Sequence, residues 1–593
     1  MNVPTSKIAL ENNGVMSSKW IFLFATLTIS KATNVFDLVE YYKLPPLYTE
    51  EDYNRCLFET KNESVYCSAV TVIKPDNSSP VWKLIEEYSS DRIKHFRHDI
   101  FYNGICVNWC RQKLEKHDGD TNDLYERAFE VDHEYYNQIF ANQSFNAMRY
   151  KYDDLINKCV NLYLKTKYGL RGYSTVVSCS SNRENDDIDV KLFFMNTAFF
   201  ALLSVIVAVV MTGTYYHYVC QILAIREMLM EIFSLQRNYR RLVSVPTNKL
   251  GRELRYLQAI RYIFMFVIIF GHLTYLFTRV PIANTQYYEQ KYYTILGMLQ
   301  LNGSHVVQTF FLISGLLMGL AFKDIITKDK FSFSYSLTPV YAIVLFYETT
   351  SVLRPSSRHP FWEGRVAIER EQCQQNWWLN VLYINNIFNI PFTCMPHTWF
   401  LASDFQAFIY GLVFIMLAWR YRDLKRLILS IGGVLIILMP AAVTYARGYT
   451  AIYMASPEDY KYHLLQDAFQ HYYVPFYTNA GNYYLAMLVG LHYDLLKSPV
   501  VIKWLKTPAM FIFYFLFPLG SIPFFSCYIF YNYDIDETAW WIGAWTTVAK
   551  HFWGILAFSV VFVFANNFDK NNFFSIFLRK ILHSPIWQPL VFI

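Results

Sequence analysis

Four residues of this chain are of types, and at spacings, that could carry proton transfer and anion binding inside a membrane. Arg261 and His272 stand eleven residues apart in a run otherwise apolar enough to cross a bilayer. Eleven residues make almost three helical turns, so both side chains lie on one helix face, roughly 16 Å apart along the axis. A neutral imidazole at that depth can take a proton from a hydroxyl, and an arginine at the mouth of the span can hold a phosphate-bearing donor. Ionisable groups in membrane helices are costly and mark function more often than packing. The structural alternative is a histidine hydrogen-bonded inside a helix bundle, with the arginine snorkelling to the interface. A second pair, His397 and Asp404, stands seven residues apart in His397-Thr398-Trp399-Phe400-Leu401-Ala402-Ser403-Asp404-Phe405-Gln406, again on one helix face. There a carboxylate can orient a histidine or bind an acceptor hydroxyl. The plainer reading is an interfacial helix start, capped by Thr398 or Ser403 and anchored by Trp399.

The elements that must position these residues are membrane helices. A composition of 54% hydrophobic, 19% aromatic and 17% charged residues over 593 is not the balance of a soluble domain. Apolar runs are read at 192–213, 261–277, 305–322, 334–352, 398–418, 427–445, 480–496, 507–530 and 546–565, so the expected fold is an all-α polytopic membrane bundle of about nine or ten transmembrane helices. The loop 214–260 carries Arg226, Arg237, Arg240, Arg241, Lys249, Arg252 and Arg255. With two further basic loops it holds fourteen Lys or Arg in about sixty residues, against eight in about a hundred across the facing loops, which orients the basic side to the cytosol. No basic aromatic patch points to nucleic acid, and the net charge of +6 reads as loop charge.

Residues 33–190 differ from the rest: they are polar and hold six of the ten cysteines, Cys56, Cys67, Cys106, Cys110, Cys159 and Cys179. An even set in one polar domain suggests three disulfides in an oxidising compartment, with fifteen connectivities open. No histidine pair at ligand spacing is read near them, so no metal is expected. Asn62, Asn77 and Asn142 open sequons in the same stretch, Asn302 opens a fourth, and a short apolar run from Trp20 to Ile29 has the length of a signal peptide. These features agree on export, giving a disulfide-rich, mainly helical lumenal or extracellular domain. Alternation of the spans puts Cys373 and Cys394 on the same oxidising side, where a fourth disulfide is expected. Cys220 and Cys527 fall in or beside membrane segments and read as free thiols.

Four blocks in this order resemble the acyltransferase type 3 membrane family. They are Arg261-x10-His272, Phe310-Phe311-Leu312-Ile313-Ser314-Gly315, the block at 397–406, and Cys373-x-x-Asn376-Trp377-Trp378-Leu379-Asn380-Val381-Leu382-Tyr383-Ile384-Asn385-Asn386. The last looks like the family's animal branch, the nose-resistant-to-fluoxetine proteins. The resemblance implies transfer of an acyl group from cytosolic acyl coenzyme A to a lipid or other hydroxyl acceptor, with His272 as base, Arg261 on the donor side, and His397 with Asp404 on the acceptor side. No bound cofactor is implied; acyl coenzyme A is a co-substrate, and membrane lipids are the other partners. The chain also departs from the family. Phe333-Ser334-Tyr335-Ser336-Leu337-Thr338-Pro339 lacks both arginines usual before the fourth span, and Thr478-Asn479 stands where another follows Pro475. A non-enzymatic protein that takes up lipids or small molecules on the same scaffold is therefore the competing reading.

The expected organisation is a signal peptide region at 1–32, a cysteine-rich lumenal domain at 33–190, a first transmembrane helix at 191–213, a basic cytosolic loop at 214–260, and an acyltransferase-type membrane domain at 261–593 whose C-terminus reads as truncated. The expected location is the plasma membrane or an endomembrane, with the N-terminal domain outside the cytosol. If that placement holds, glycosidase treatment increases gel mobility and Asn77→Gln removes part of the shift; no shift from any of the four sequons places the domain elsewhere.

Overall fold

The computed structural model describes residues 37–58, 64–129, 147–181, 190–223, 232–246, 248–278, 280–301, 303–328, 337–350, 352, 359–533, 539–568 and 573–590. The signal-peptide region, Arg226 and the sequon asparagines Asn62, Asn142 and Asn302 lie outside them, as does the Cys220 side chain; Asn77 is exposed.

The cysteine-rich domain is helix-rich, as its sequence suggests, but it is built round a four-stranded sheet that the sequence reading did not place. The strands are β1 (Tyr48–Glu50), β2 (Val65–Ile73), β3 (Ile100–Cys106) and β4 (Gly172–Ser181), in the order β1-β3-β2-β4. β2 lies antiparallel to both β3 and β4, and β1 runs parallel to β3. Three helices frame it: α1 (Pro80–Ser90), α2 (Val107–Glu115) and α3 (Ala147–Tyr168). Ser79 caps α1 by accepting from the Trp82 amide, and Pro80 takes a first-turn position where its missing N–H costs nothing. Tyr152, Ile156, Val160 and Leu164, at helical spacing on α3, are buried with Val65, Ala69 and Val176 of the sheet.

The six cysteines pair as Cys56–Cys106, Cys67–Cys179 and Cys110–Cys159. Cys67 and Cys179 stand directly opposite in the β2–β4 register, which is why β4, more than a hundred residues downstream, is locked to β2. Cys373 and Cys394 form the fourth bond, and Cys527 is a buried free thiol.

Six helices among the described residues are long and apolar enough to cross a membrane: Val190–Val219, Tyr256–Thr278, His305–Lys323, Pro396–Arg420, Arg422–Arg447 and Trp540–Asn566. As full elements they are α4 (Val190–Leu223), α5 (Tyr256–Thr278), α7 (Ser304–Lys328), α10 (Trp399–Arg420), α11 (Lys425–Arg447) and α15 (Ala539–Asn566). Between them come α6 (Thr285–Gln290), α8 (Leu337–Glu348), α9 (Pro360–Val381), α12 (Phe476–Leu491), α13 (Pro499–Tyr514) and α14 (Leu516–Asn532). The remaining runs read as spans take other forms. The run at 334–352 yields only the twelve-residue α8 among the described residues, α12 has sixteen residues, and the 507–530 run belongs to a helix pair bent by 77°.

The bundle is organised on α12, which packs on α7, α10, α11 and α15. Its contact with α7 is backbone to backbone. A methyl added at Gly315 or Gly319 of α7 would overlap the carbonyl oxygens of Tyr483 and Met487, and one at Gly490 would meet the Leu316 carbonyl. Small residues at such a seam permit close van der Waals contact where lipid gives helices no hydrophobic reason to associate. α4 and α5, by contrast, present almost their whole apolar length outward.

The cysteine-rich domain sits directly on the membrane domain. Leu47 and Phe96 share a core cluster with Tyr288, Tyr292, Met298, Leu301, Ile452 and Tyr531. The Arg97 amide donates to Glu458 Oε1 at 2.9 Å, and the Lys461 ammonium lies 4.5 Å over the Phe96 ring. Glu289, wholly buried in α6, meets His95 and His98 of the cysteine-rich domain. Burial alone would raise its carboxyl pKa; His98 and His95, by charge and hydrogen bond, outweigh that and hold it at about 2. His95 and His98, three residues apart, are a histidine pair at ligand spacing that the sequence reading passed over.

Gly319→Leu should therefore open the α7–α12 seam at an overpacking cost of about 1–3 kcal/mol. The check is the folded, monodisperse fraction in detergent against Gly271→Ala, whose added methyl meets nothing within 4 Å. Equal yields for the two variants would contradict the close seam.

Candidate active site

α5 carries Arg261 and His272, and α10 with the 3₁₀ turn Pro396–Thr398 carries His397 and Asp404. The structure brings all four together, but across the two helices rather than along each. The His272 and His397 rings lie edge to face with centroids 6.2 Å apart. Arg261 lies within electrostatic reach of Asp404. This is the pairing of helices running in opposite directions: the later residue of α5 meets the beginning of α10, and the earlier one meets its interior.

The local chain fixes the chemistry available to each group. His272 Nδ1 lies 2.9 Å from the Ile268 carbonyl oxygen. A carbonyl only accepts, so Nδ1 carries the proton, and in the neutral ring Nε2 keeps its lone pair. That is the form in which an imidazole accepts a proton from a hydroxyl. His272 and His397 both keep accessible surface. Asp404 accepts a hydrogen bond from Ser314, the serine of the Phe310–Gly315 block, while its Oδ1 has no hydrogen-bond partner. Three of the sequence blocks thus meet through Arg261, Ser314 and Asp404.

The fourth block holds the turn that delivers His397. Met395 has φ 48°, a left-handed conformation that redirects the chain into Pro396. Thr398 stabilises it: its amide and its hydroxyl both donate to the Met395 carbonyl, at 2.9 and 2.8 Å. Asn380 Nδ2 donates to the Cys394 carbonyl (2.8 Å) and to Thr398 Oγ1 (3.0 Å), and Asn385 Nδ2 also reaches Thr398 Oγ1. Gln406 Nε2 donates to the Tyr383 carbonyl and to Asn386 Oδ1. The asparagines and glutamine of these blocks are positioning groups, and the Cys373–Cys394 bond ties their loop to α9.

A second polar cluster was not anticipated. Lys550, inside α15, donates to Asn479 Oδ1 at 2.9 Å and stands 4.6 Å over the Tyr472 ring. Gln308 Nε2 donates to the same Asn479 oxygen, and Asn482 Nδ2 donates to Gln308 Oε1 and to the Lys550 carbonyl. His305, Gln308, Tyr472 and Lys550 line one cavity. The sequence signal was present: Lys550-His551 is a basic pair within an apolar run, the same kind of anomaly as Arg261 and His272. Lys550 places an amine beside Asn479, where the resemblance had called for an arginine.

Residues 254–582, more than half of the chain, match the model described as an acyltransferase domain, and the chain belongs to the acyltransferase type 3 family. It is a multi-pass membrane protein of acyltransferase type. Over 215 residues it is 29% identical to nose resistant to fluoxetine protein 6 of Caenorhabditis elegans, an alignment covering 32% of this chain and 25% of that protein. The match therefore spans about a quarter of that relative's length. No solved structure matches the chain.

Asn380→Leu removes the shorter of two donors to the Cys394 carbonyl and leaves Thr398 Oγ1 with Asn385 alone, at an expected cost of about 1–3 kcal/mol. Its midpoint of thermal unfolding in detergent should fall while Gln375→Ala, at an exposed position, leaves it within error. An unchanged midpoint for Asn380→Leu would show that the turn is held by other contacts.

Proposed function

We propose that this protein transfers an acyl group from acyl coenzyme A to a hydroxyl acceptor that reaches it through the membrane, a lipid or a lipid-like alcohol. The single observation carrying the reading is the His272 tautomer: Nδ1–H committed to the Ile268 carbonyl leaves Nε2 as acceptor, with a second histidine against it. In the reaction Nε2 takes the hydroxyl proton while the acceptor oxygen attacks the thioester carbonyl. The tetrahedral intermediate collapses with cleavage of the C–S bond, and the proton passes from His272 to the departing thiolate, giving an ester and free coenzyme A. Arg261, facing Asp404, is the donor-side cation, and His397, whose ring lies against His272, is the acceptor-side group. Lys550, beside Asn479, supplies an amine where the chain lacks an arginine usual in the family.

The rest of the protein is consistent with this assignment. Three disulfides in the cysteine-rich domain and a fourth joining α9 to the loop before α10 fit segments facing the lumen or the outside, and the basic loop 214–260 faces the cytosol, where acyl coenzyme A is found.

The test is acyl transfer by the purified protein in lipid nanodiscs, read as thiol release from long-chain acyl coenzyme A in the presence of hydroxylated lipids. His272→Gln keeps size and hydrogen bonding but cannot accept a proton, so the rate should fall about a hundredfold with elution profile and thermal midpoint unchanged. A His272→Gln rate equal to that of the parent overturns the assignment. So does a parent that releases no thiol with any donor tested yet moves lipid between leaflets, an outcome that identifies the uptake protein instead.

A further inference from the structure

The junction between the cysteine-rich and membrane domains has side chains of a metal-binding type. His95 and His98 lie in the turn before β3, and Glu289 lies in α6, nearly two hundred residues later. One ligand atom from each, His95 Nδ1, His98 Nε2 and a Glu289 oxygen, lies within 4.8 Å of the others. The three residues are 6, 1 and 0% exposed. We propose that they form a site for a divalent transition cation of the zinc class, which fastens the cysteine-rich domain to the membrane domain.

The donor chemistry supports the class. Two imidazoles and one carboxylate are the three-protein-ligand set that zinc accepts, with one position left for water, whereas magnesium and calcium call for oxygen alone. The surroundings are also those of a held ligand. His95 turns its second nitrogen, Nε2, to the Tyr293 hydroxyl at 2.8 Å, the outer contact that orients a ligating imidazole. Tyr41 donates to Glu289 Oε1 at 3.2 Å, and the Phe96 amide approaches the same oxygen at 3.4 Å. The aromatic rings of Tyr41 and Tyr88 pack edge-on against the two imidazoles, keeping bulk water away from the carboxylate. Without an ion, Glu289 bonds the imidazoles directly through Oε2 to His95 Nδ1 and through Oε1 to His98 Nε2. Bringing three donors to about 2.1 Å from one centre needs side-chain shifts on the order of an ångström, no backbone rearrangement, and no new residue.

The competing account is a metal-free acid–imidazole clamp at the same place, and metal content separates the two. Full-length protein without a polyhistidine tag, purified in detergent without chelator and dialysed against buffered zinc, should retain one zinc ion per chain. His95→Gln/His98→Gln should lower retained zinc about tenfold or more. Tyr293→Phe removes only the outer hydroxyl and is expected to fold; it should weaken zinc binding about tenfold. If the double variant fails to fold, the cobalt-loaded parent needs no variant: visible d–d absorption of a nitrogen–oxygen site, displaced by one equivalent of zinc, supports the proposal. Parent protein that retains no zinc after dialysis overturns it in favour of the metal-free clamp. Zinc retention equal in the parent and the double variant overturns it as well.

Discussion

The close seam between α7 and α12 is the constraint on which the membrane domain depends. Glycines at 315, 319 and 490 let the two backbones touch, and that contact decides which side chains face each other elsewhere on the same helices. Gln308, two turns from Gly315, reaches Asn479 and, through it, Lys550; Ser314 is left facing Asp404. Polar groups in hydrocarbon must find partners within the protein. A seam set an ångström wider would part both networks at once, because each is anchored on α7.

The two polar clusters use membrane depth differently. Lys550, Asn479, Asn482 and Gln308 are enclosed, and their hydrogen bonds are nearly all to one another or to backbone. His272 and His397 instead keep accessible surface. The first arrangement holds an amine inside the protein; the second presents a proton acceptor at accessible surface. The polar residues around Thr398 bridge these roles, because the loop they fold ends at His397 on one side and begins α10 on the other.

Much of this was legible in the sequence, and the exceptions have identifiable causes. Periodicity and length found the long spans because each is apolar over its whole extent. Arg261 and His272 do share α5, whereas His397 stands in the 3₁₀ turn before the helix that carries Asp404; spacing along one helix carries no information about its neighbour, so the cross-pairing appeared only in three dimensions. The sheet was missed because β2, VYCSAVTVI, is buried at every position and shows no alternation of polar and apolar residues. Cysteine count gave the number of disulfides; their pairing awaited the strand register that sets Cys67 opposite Cys179. Glu289 was invisible as a partner of His95 and His98 because nothing local distinguishes it from a surface glutamate in a short helix. Lys550 was the avoidable omission, a charge inside an apolar run.

The order in which the chain is made gives the docked junction a further significance. Every disulfide of the cysteine-rich domain closes between residues 56 and 179, so all six of its cysteines are made before Glu289, Glu458 or Lys461. Until those residues are made, Leu47, Phe96 and the two histidines lack the contacts that the membrane domain gives them. Union of the two parts is therefore a late step of biogenesis. A chaperone that shields Leu47 and Phe96 acts on a domain that is still waiting for its membrane half.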